Sequence, residues 1–477
     1  MKIPFRAATL AVAVAAALSA CATQMPPAHV AAQAPQQWQA PLPHNGSQAD
    51  LALWWRHQSD ALLAQLIDSA QAVSPTVASA GSRIAQSRAE RVAAGAALAP
   101  SLDAAASANR SNQQSTLPMG TTSQLALNAS WEIDLFGGNR AARDAAQARL
   151  DSAHAGWHDA RVSVAAEVAN QYYSLRACEQ LLAVAKQDAA SRADTARLTE
   201  LSAGAGFQSP ASLALARASA ADGNSRYIQQ RAACDVDVKA LVALTAIAEP
   251  ELRGKLAASD AAAANAPALP IPALPAQTLS QRPDVFTAER EVTAASFDVG
   301  SARAQRYPHL ALSGSVGVAN FRSGGESVKT DTWTIGPVSI SVPIFDAGKR
   351  RANVDAASAR YDAAVTSYRA TVRQAVSEVE QALVNLDSTA ERAGDAQTAL
   401  QGYRANFTAV DDRYKNGLAS LFELEDARRT RLAAEQTVIN LQRERSAAWV
   451  ALYRAAGGGW TAPTATNDNA PAVAGTN

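Results

Sequence analysis

The chain has 477 residues, with 43 basic and 43 acidic side chains, 48% hydrophobic and only 5% aromatic residues. A balanced charge with no basic face excludes nucleic acid as a partner, because a nucleic-acid binder displays clustered positive charge. Beyond the first twenty residues no apolar run approaches eighteen, so no helix is expected to span a bilayer, and crossing a membrane would require a closed β-barrel.

Lys2 and Arg6 precede a short apolar stretch, Ala7 to Leu18, which reads as a secretory signal occupying residues 1–20. Leu18-Ser19-Ala20-Cys21 has the form of a bacterial lipobox, in which Cys21 is acylated and becomes the first residue. The several chains of such a lipoprotein anchor it firmly, and Ala22, where an aspartate would signal retention at the inner membrane, points to the outer membrane. The lipid on Cys21 is the one non-protein group expected; no cofactor or metal is. Loss of the signal removes two basic residues and leaves a formal charge of −2.

Residues 21–60 lead into a first unit, 61–248, and residues 249–283 form a proline-rich linker to a second unit, 284–456, with a tail at 457–477. The two units are copies of one pattern. QARLDSA at Gln147–Ala153 returns as SARYDAA at Ser358–Ala364, Gly137 returns as Gly348, and GFQSPASLALAR from Gly206 returns as GLASLFELEDAR from Gly417, each 211 residues later. Each unit opens with a helical stretch, Leu62–Leu98 and Pro283–Arg306. A β-hairpin follows, at 99–135 and 307–345. In SQLALNASWEI, Leu125, Leu127, Ala129, Trp131 and Ile133 fall on one face; HLALSGSVGV repeats the alternation, and so does the segment before Phe345 after a break at Gly336-Pro337. Alternation over about ten residues between turns is the pattern of membrane barrel strands. Trp131 and Trp333 are expected at the headgroup level.

Each hairpin is followed by a long helical hairpin, at 137–245 and 347–455. No proline interrupts Gly137–Ala205 or Ala347–Asn416, and Val365, Tyr368, Val372, Val376, Val379, Leu383 and Leu386 follow the three-four spacing of packed coiled coils. Gly206 and Gly417 mark the turns. Four strands cannot close a barrel, so at least two subunits must share one; strand count alone does not choose between two and three. Cys178 and Cys234 are equidistant from Gly206 and both sit at core spacing, which in an oxidising periplasm predicts a disulfide across the first helical hairpin.

RPDVFTAEREVTAASFDVGSARAQRYPHLALSGSVG, VPIFDAGKRR, RYKNGLASLFELEDARR and ALYRAAGGGW resemble the lipoprotein branch (NodT-like) of the TolC-type outer-membrane factor family, the exit ducts of resistance-nodulation-division pumps, over about Trp54 to Trp460. The resemblance implies a mixed α+β membrane protein: a homotrimer with a twelve-stranded β-barrel, four strands per subunit, and a long antiparallel α-helical tunnel in the periplasm. A mixed equatorial domain would come from residues 21–60, 249–283 and 457–477. It also implies a periplasmic adaptor, an inner-membrane pump and outer-membrane lipid as partners, and the export of drugs or other small molecules. In the family the second turn closes the periplasmic end, and acidic residues ring its bore. Matching on Tyr414, Gly417 and Asp426 gives Glu423 and Asp426 as those acids and Phe422 as an apolar constriction. Three residues apart on a helix, the two carboxylates share one side, so a trimer would carry stacked rings that select cations. Glu425 departs from the family, which has an apolar residue there.

His154 and His158, four apart, have no third ligand nearby, and neither GAGFQS nor GSVGVAN has the context or lysine of a phosphate loop. No nucleophile stands beside an evident base, and no enzyme activity is expected. The alternatives are a type I secretion duct, a metal-ion efflux duct, for which six histidines and three methionines offer little, and a non-channel envelope spacer or adhesin.

Overall fold

A computed structural model of the chain describes residues 23–32, 34–35, 38–40, 60–112, 119–259, 279 and 281–460. The signal segment, Cys21, the proline-rich stretch Ala264–Gln277 and the tail after Trp460 lie outside the described residues. In chain order the elements are α1 (Ala61–Val73), α2 (Pro75–Ala96), β1 (Ser101–Ser111), β2 (Gly120–Ile133), α3 (Gly138–Gly204) and α4 (Pro210–Thr245). They continue as α5 (Glu249–Ala258), α6 (Pro283–Ala304), β3 (His309–Ser323), β4 (Glu326–Ser341), α7 (Lys349–Lys415) and α8 (Leu421–Ala455).

Three boundaries differ from the sequence reading. The stretch Leu62–Leu98 is two helices, because Ser74, held extended at ψ 124° before Pro75, cannot continue α1. The region assigned to a proline-rich linker begins with a helix, α5; Pro250 falls in its first turn, where proline is tolerated, and Leu252 and Leu256 are buried. The last hairpin strand does not break at Gly336-Pro337. β4 runs through it, and the pairing shifts so that Gly336 and Pro337 together face the single residue Ser313. This bulge absorbs a proline that cannot donate to the ladder. It also keeps Trp333 and Ile335 on the same face as Val338 and Ile340.

The chain divides into two compact units, one built from the residues up to Ala32, Ser82–His154 and Phe286–Ala370, the other from the remainder. The first holds an antiparallel sheet in the order β1-β2-β3-β4. Residues directly opposite across antiparallel strands share a face. The pairs Leu102↔Ala129, Ala104↔Leu127, Leu127↔Val316, Trp131↔Leu312, Val316↔Trp333 and Leu310↔Ile340 therefore put one apolar band on one side. The other side carries Ser107, Gln124, Asn128, Ser130, Ser315, Thr332 and Thr334. β1 pairs only with β2 and β4 only with β3, which leaves both outer edges of the sheet without a partner strand in the chain. Trp131 and Trp333 share the apolar face but not a level, since their β3 partners Leu312 and Val316 are four residues apart.

In the same unit the N-terminal segment runs along α6. Ser296 Oγ donates to Pro26 O at 2.5 Å, Thr293 Oγ1 to Ala28 O at 3.0 Å, and Tyr361 OH to Pro27 O at 2.9 Å. The segment begins beside the strand ends: Thr23 Oγ1 donates to Phe136 O at 3.5 Å, and Phe136 stacks on Tyr307 with ring centroids 4.8 Å apart.

The second unit is helical. Leu63, Leu66 and Ile67 of α1 meet Val168, Tyr172 and Leu175 of α3, Val238 and Leu241 of α4, Val379 and Leu383 of α7, and Leu452 of α8 in one buried cluster. Each such side chain contributes about 1.5–3 kcal/mol by leaving water. Arg176 ties α5 to this core by donating to Leu256 O, and Arg282 reaches Ala455 O at 2.8 Å. No helix among the described residues is long and apolar enough to cross a membrane.

Candidate gate at the helical turns

The two turns in the helical unit are built alike. α3 and α7 are each 67 residues long. Each ends on a glycine with positive φ, Gly206 at 79° and Gly417 at 74°, a conformation that costs a residue with a Cβ. The next residue folds back onto the helix: Phe207 N donates to Ser202 O at 2.9 Å, Leu418 N to Arg413 O at 2.8 Å. A serine then caps the returning helix, Ser209 for α4 and Ser420 for α8.

The turns differ in chemistry. On α8 the cap is reciprocal: Glu423 N donates to Ser420 Oγ at 3.2 Å, and the Glu423 carboxylate accepts from Ser420 N at 3.0 Å. Phe422, Glu423, Asp426 and Arg429 are exposed on one side, with Phe422 76% exposed. Asp426 accepts from Arg429 Nη2 at 2.5 Å, an exposed pair one turn apart. The three positions assigned to the gate thus share an outward face, but neither carboxylate is unengaged: Glu423 caps its own helix and Asp426 is partly countered by Arg429.

The inward side of α8 carries Leu421, Leu424 and Ala427, packed with Phe407 of α7 and Ala216 of α4. Behind them lies an ionic cluster that the sequence reading missed. Arg192 of α3 donates to Asp188 at 2.8 Å, to Ser219 Oγ of α4 at 2.6 Å and to Glu425 of α8 at 2.7 Å. Glu425, only 19% exposed, also pairs with Arg428, whose side chain is fully buried and donates to Thr195 Oγ1 at 2.9 Å. Burial holds the Arg428 guanidinium below its ordinary pKa, with Glu425 acting in the opposite direction. Arg431 lies over the Phe407 ring at 4.0 Å, and Thr199 Oγ1 bonds Tyr414 OH at 2.9 Å across α3 and α7. A Cβ at Gly223 would stand 2.6 Å from Arg192 Cδ, so the glycine leaves room for that side chain. The one signal in the sequence was Glu425 itself, an acid where an apolar residue belongs. Its carboxylate turns into the helical unit, away from the face that carries Phe422 and Asp426. Lower on the first hairpin, Cys178 and Cys234 are joined as a disulfide with their Cα atoms 5.5 Å apart.

The sequence model of the outer membrane efflux protein family matches the chain twice, at residues 66–246 and 274–458. This chain belongs to that family. Among its relatives, the solvent efflux pump outer membrane protein SrpC of Pseudomonas putida is 29% identical, covering 76% of this chain and 78% of SrpC. The pyoverdine export outer membrane protein OpmQ of Pseudomonas aeruginosa is 28% identical over 93% of this chain and 95% of its own. The solved outer-membrane channel OprN has 27% identity and a TM-score of 0.80, covering 92% of this chain and 99% of OprN. Among the described residues, the turns of this outer membrane efflux protein hold carboxylates, guanidiniums, hydroxyls and aromatic rings that join the helices.

Proposed function

We propose that this chain is the outer-membrane exit duct of a tripartite efflux pump, a homotrimer working with a periplasmic adaptor and a resistance-nodulation-division pump to expel drugs or other small molecules. The observation that carries the reading is the sheet: four strands, apolar on one face, polar on the other, with both edges unpartnered. In lipid each unpaired backbone group costs several kcal/mol, so the edges must meet those of other subunits. Three copies give twelve strands, with the apolar faces toward lipid and the polar faces around a water-filled bore. The duct is two tandem repeats, and its tunnel is made by α3, α4, α7 and α8, the longer pair each extending about 100 Å at ~1.5 Å per residue. Lipid on Cys21 anchors the subunit; Thr23, two residues on, is bonded beside the strand ends, which suits acyl chains entering the near leaflet.

At the periplasmic end, Glu423 and Asp426 ring the bore beside Phe422. The cluster of Asp188, Arg192, Glu425 and Arg428 holds the second hairpin against the first. Energy comes from the partners, since the duct carries no catalytic step of its own.

Purified protein inserted into planar bilayers is expected to conduct as a trimer with cation preference, and the Glu423→Ala/Asp426→Ala double variant to lose that preference. Reversal potentials unchanged by the double variant would remove these residues from the bore. Crosslinking in cells followed by mass spectrometry is expected to recover an adaptor and a resistance-nodulation-division pump; an ATP-driven exporter recovered instead would make this a secretion duct.

A further inference from the structure

The apolar face of the sheet changes character at the end remote from the helices. Arg110 of β1 and Arg322 of β3 both stand opposite Thr121 of β2, so they flank it at one level. Adjacent strands lie about 4.8 Å apart, which sets the two arginine backbones about 10 Å from each other. Lys329 of β4, opposite Asn320, is on the same face one step below. All three are exposed, and the ion pairs among the described residues include none of them. Among the described residues, Arg110 Nε lies 3.1 Å from Met119 Sδ, a weak sulfur contact. Asp331 is the sole acid on this face among the described strand residues, two positions from Lys329, and leaves a surplus of two positive charges.

The level of this rim carries the argument. Thr121 and Trp131 are ten residues apart on β2, which is about 34 Å along a strand and roughly 26 Å in height at the usual tilt of a membrane barrel. That is the height of the apolar band such barrels present to lipid. The basic rim therefore lies one hydrocarbon thickness from Trp131, at the opposite leaflet from Thr23 and the strand ends that lead into α3 and α7.

We propose that Arg110, Arg322 and Lys329 bind the phosphate groups of the anionic glycolipid that forms the outer leaflet. The inference rests on the barrel reading above and adds a partner to it. On a lipid-facing surface the two positive charges that Asp331 leaves unmatched need countercharge, and phosphates carry the charge and the acceptor geometry that Arg forks match. The lipid acts as a clasp around the rim. Because β1 and β4 are the edge strands, phosphates bridging Arg110 of one subunit and Lys329 of the next also cover the seam between them.

The test uses the full-length oligomer in detergent, titrated by native mass spectrometry with bisphosphorylated lipid A, dephosphorylated lipid A and phosphatidylglycerol. Each basic residue beside an anionic lipid surface contributes about a factor of five, so the variant R110Q/R322Q/K329Q is expected to bind bisphosphorylated lipid A about a hundredfold more weakly. The variant R110K/R322K, which keeps the charge and loses the fork, is expected to bind more tightly than the glutamine variant and less tightly than wild type. Equal binding by the glutamine variant and wild type overturns the proposal, as does wild-type protein that takes dephosphorylated lipid A or phosphatidylglycerol as readily. The lipid comparison on wild type decides the question even where the glutamine variant fails to assemble. Single-channel conductance of the same preparations separates the two readings: absent conductance in wild type overturns the barrel, whereas conductance with lipid binding indifferent to phosphate overturns only the rim.

Discussion

Arg428 is fully buried between two helical hairpins, and Glu425 is the carboxylate that makes its burial tolerable. Removing one partner of a buried pair leaves an uncompensated charge at a cost of about 3–5 kcal/mol, whereas replacing both by apolar residues is often neutral. Glu425→Ala is therefore expected to lower the thermal unfolding midpoint of the helical unit, with a loss toward the lower end because Glu425 is partly exposed. Glu425→Leu/Arg428→Leu should recover much of it; a double variant no better than the single one would show that the pair is incidental. A second residue gives a pH signature. Burial raises the pKa of Asp159, and nearby Asp284 adds to the shift. A carboxyl whose folded pKa exceeds its unfolded value leaves stability untouched below the unfolded pKa and reduces it as pH rises through the window up to the folded one. Asp159→Asn should raise the unfolding midpoint at pH 7, and the gain should vanish at pH values below about 4. A gain that persisted unchanged at pH 3 would assign the effect to packing.

At the level of elements, Glu423 caps α8 and, in the proposed duct, also rings the bore, two roles that a substitution can separate. Glutamine keeps the capping box and discards the charge, while alanine discards both. Glu423→Gln should change ion selectivity with little effect on melting, and Glu423→Ala should also cost about 1 kcal/mol, as cap losses do. Equal melting losses in the two variants would mean that the cap needs the charge itself. The Cys178–Cys234 bond closes a separation of 56 residues, and its removal should cost about 2–4 kcal/mol. Counting thiols in denatured samples with and without reductant checks it; equal counts mean no bond forms in the cell. The strands, the long helices and the turns at Gly206 and Gly417 were legible because each follows from local periodicity or a single residue's backbone freedom. The contact between Arg192 and Glu425 joins residues 233 apart and depends on which side of α8 faces α3, a matter of tertiary packing that no local pattern encodes. The same holds for α5: residues 249–283 read as a proline-rich linker, while burial of Leu252 and Leu256 decided for helix at its start.

For the molecule as a whole, assembly and stability are not separate quantities. In the proposed barrel, a sheet with two unpartnered edges has no stable membrane-inserted monomer, so strand pairing between subunits would be part of folding itself. Dilution of the detergent-solubilised oligomer should therefore yield aggregated or unfolded chains rather than folded monomers, a result that sedimentation with circular dichroism can read.

The equal lengths of α3 and α7 restrict how such a chain can change over time. Deleting one residue from either helix turns everything beyond it by about 100° and shortens it by ~1.5 Å, which carries its buried stripe away from its neighbours and moves one turn out of step with the other. Only a loss or gain of whole helical periods, made in α3 and α7 together and again in their returning partners α4 and α8, leaves every stripe in phase. Insertions and deletions in this protein should therefore accumulate in the short connections, while the helices change by substitution alone.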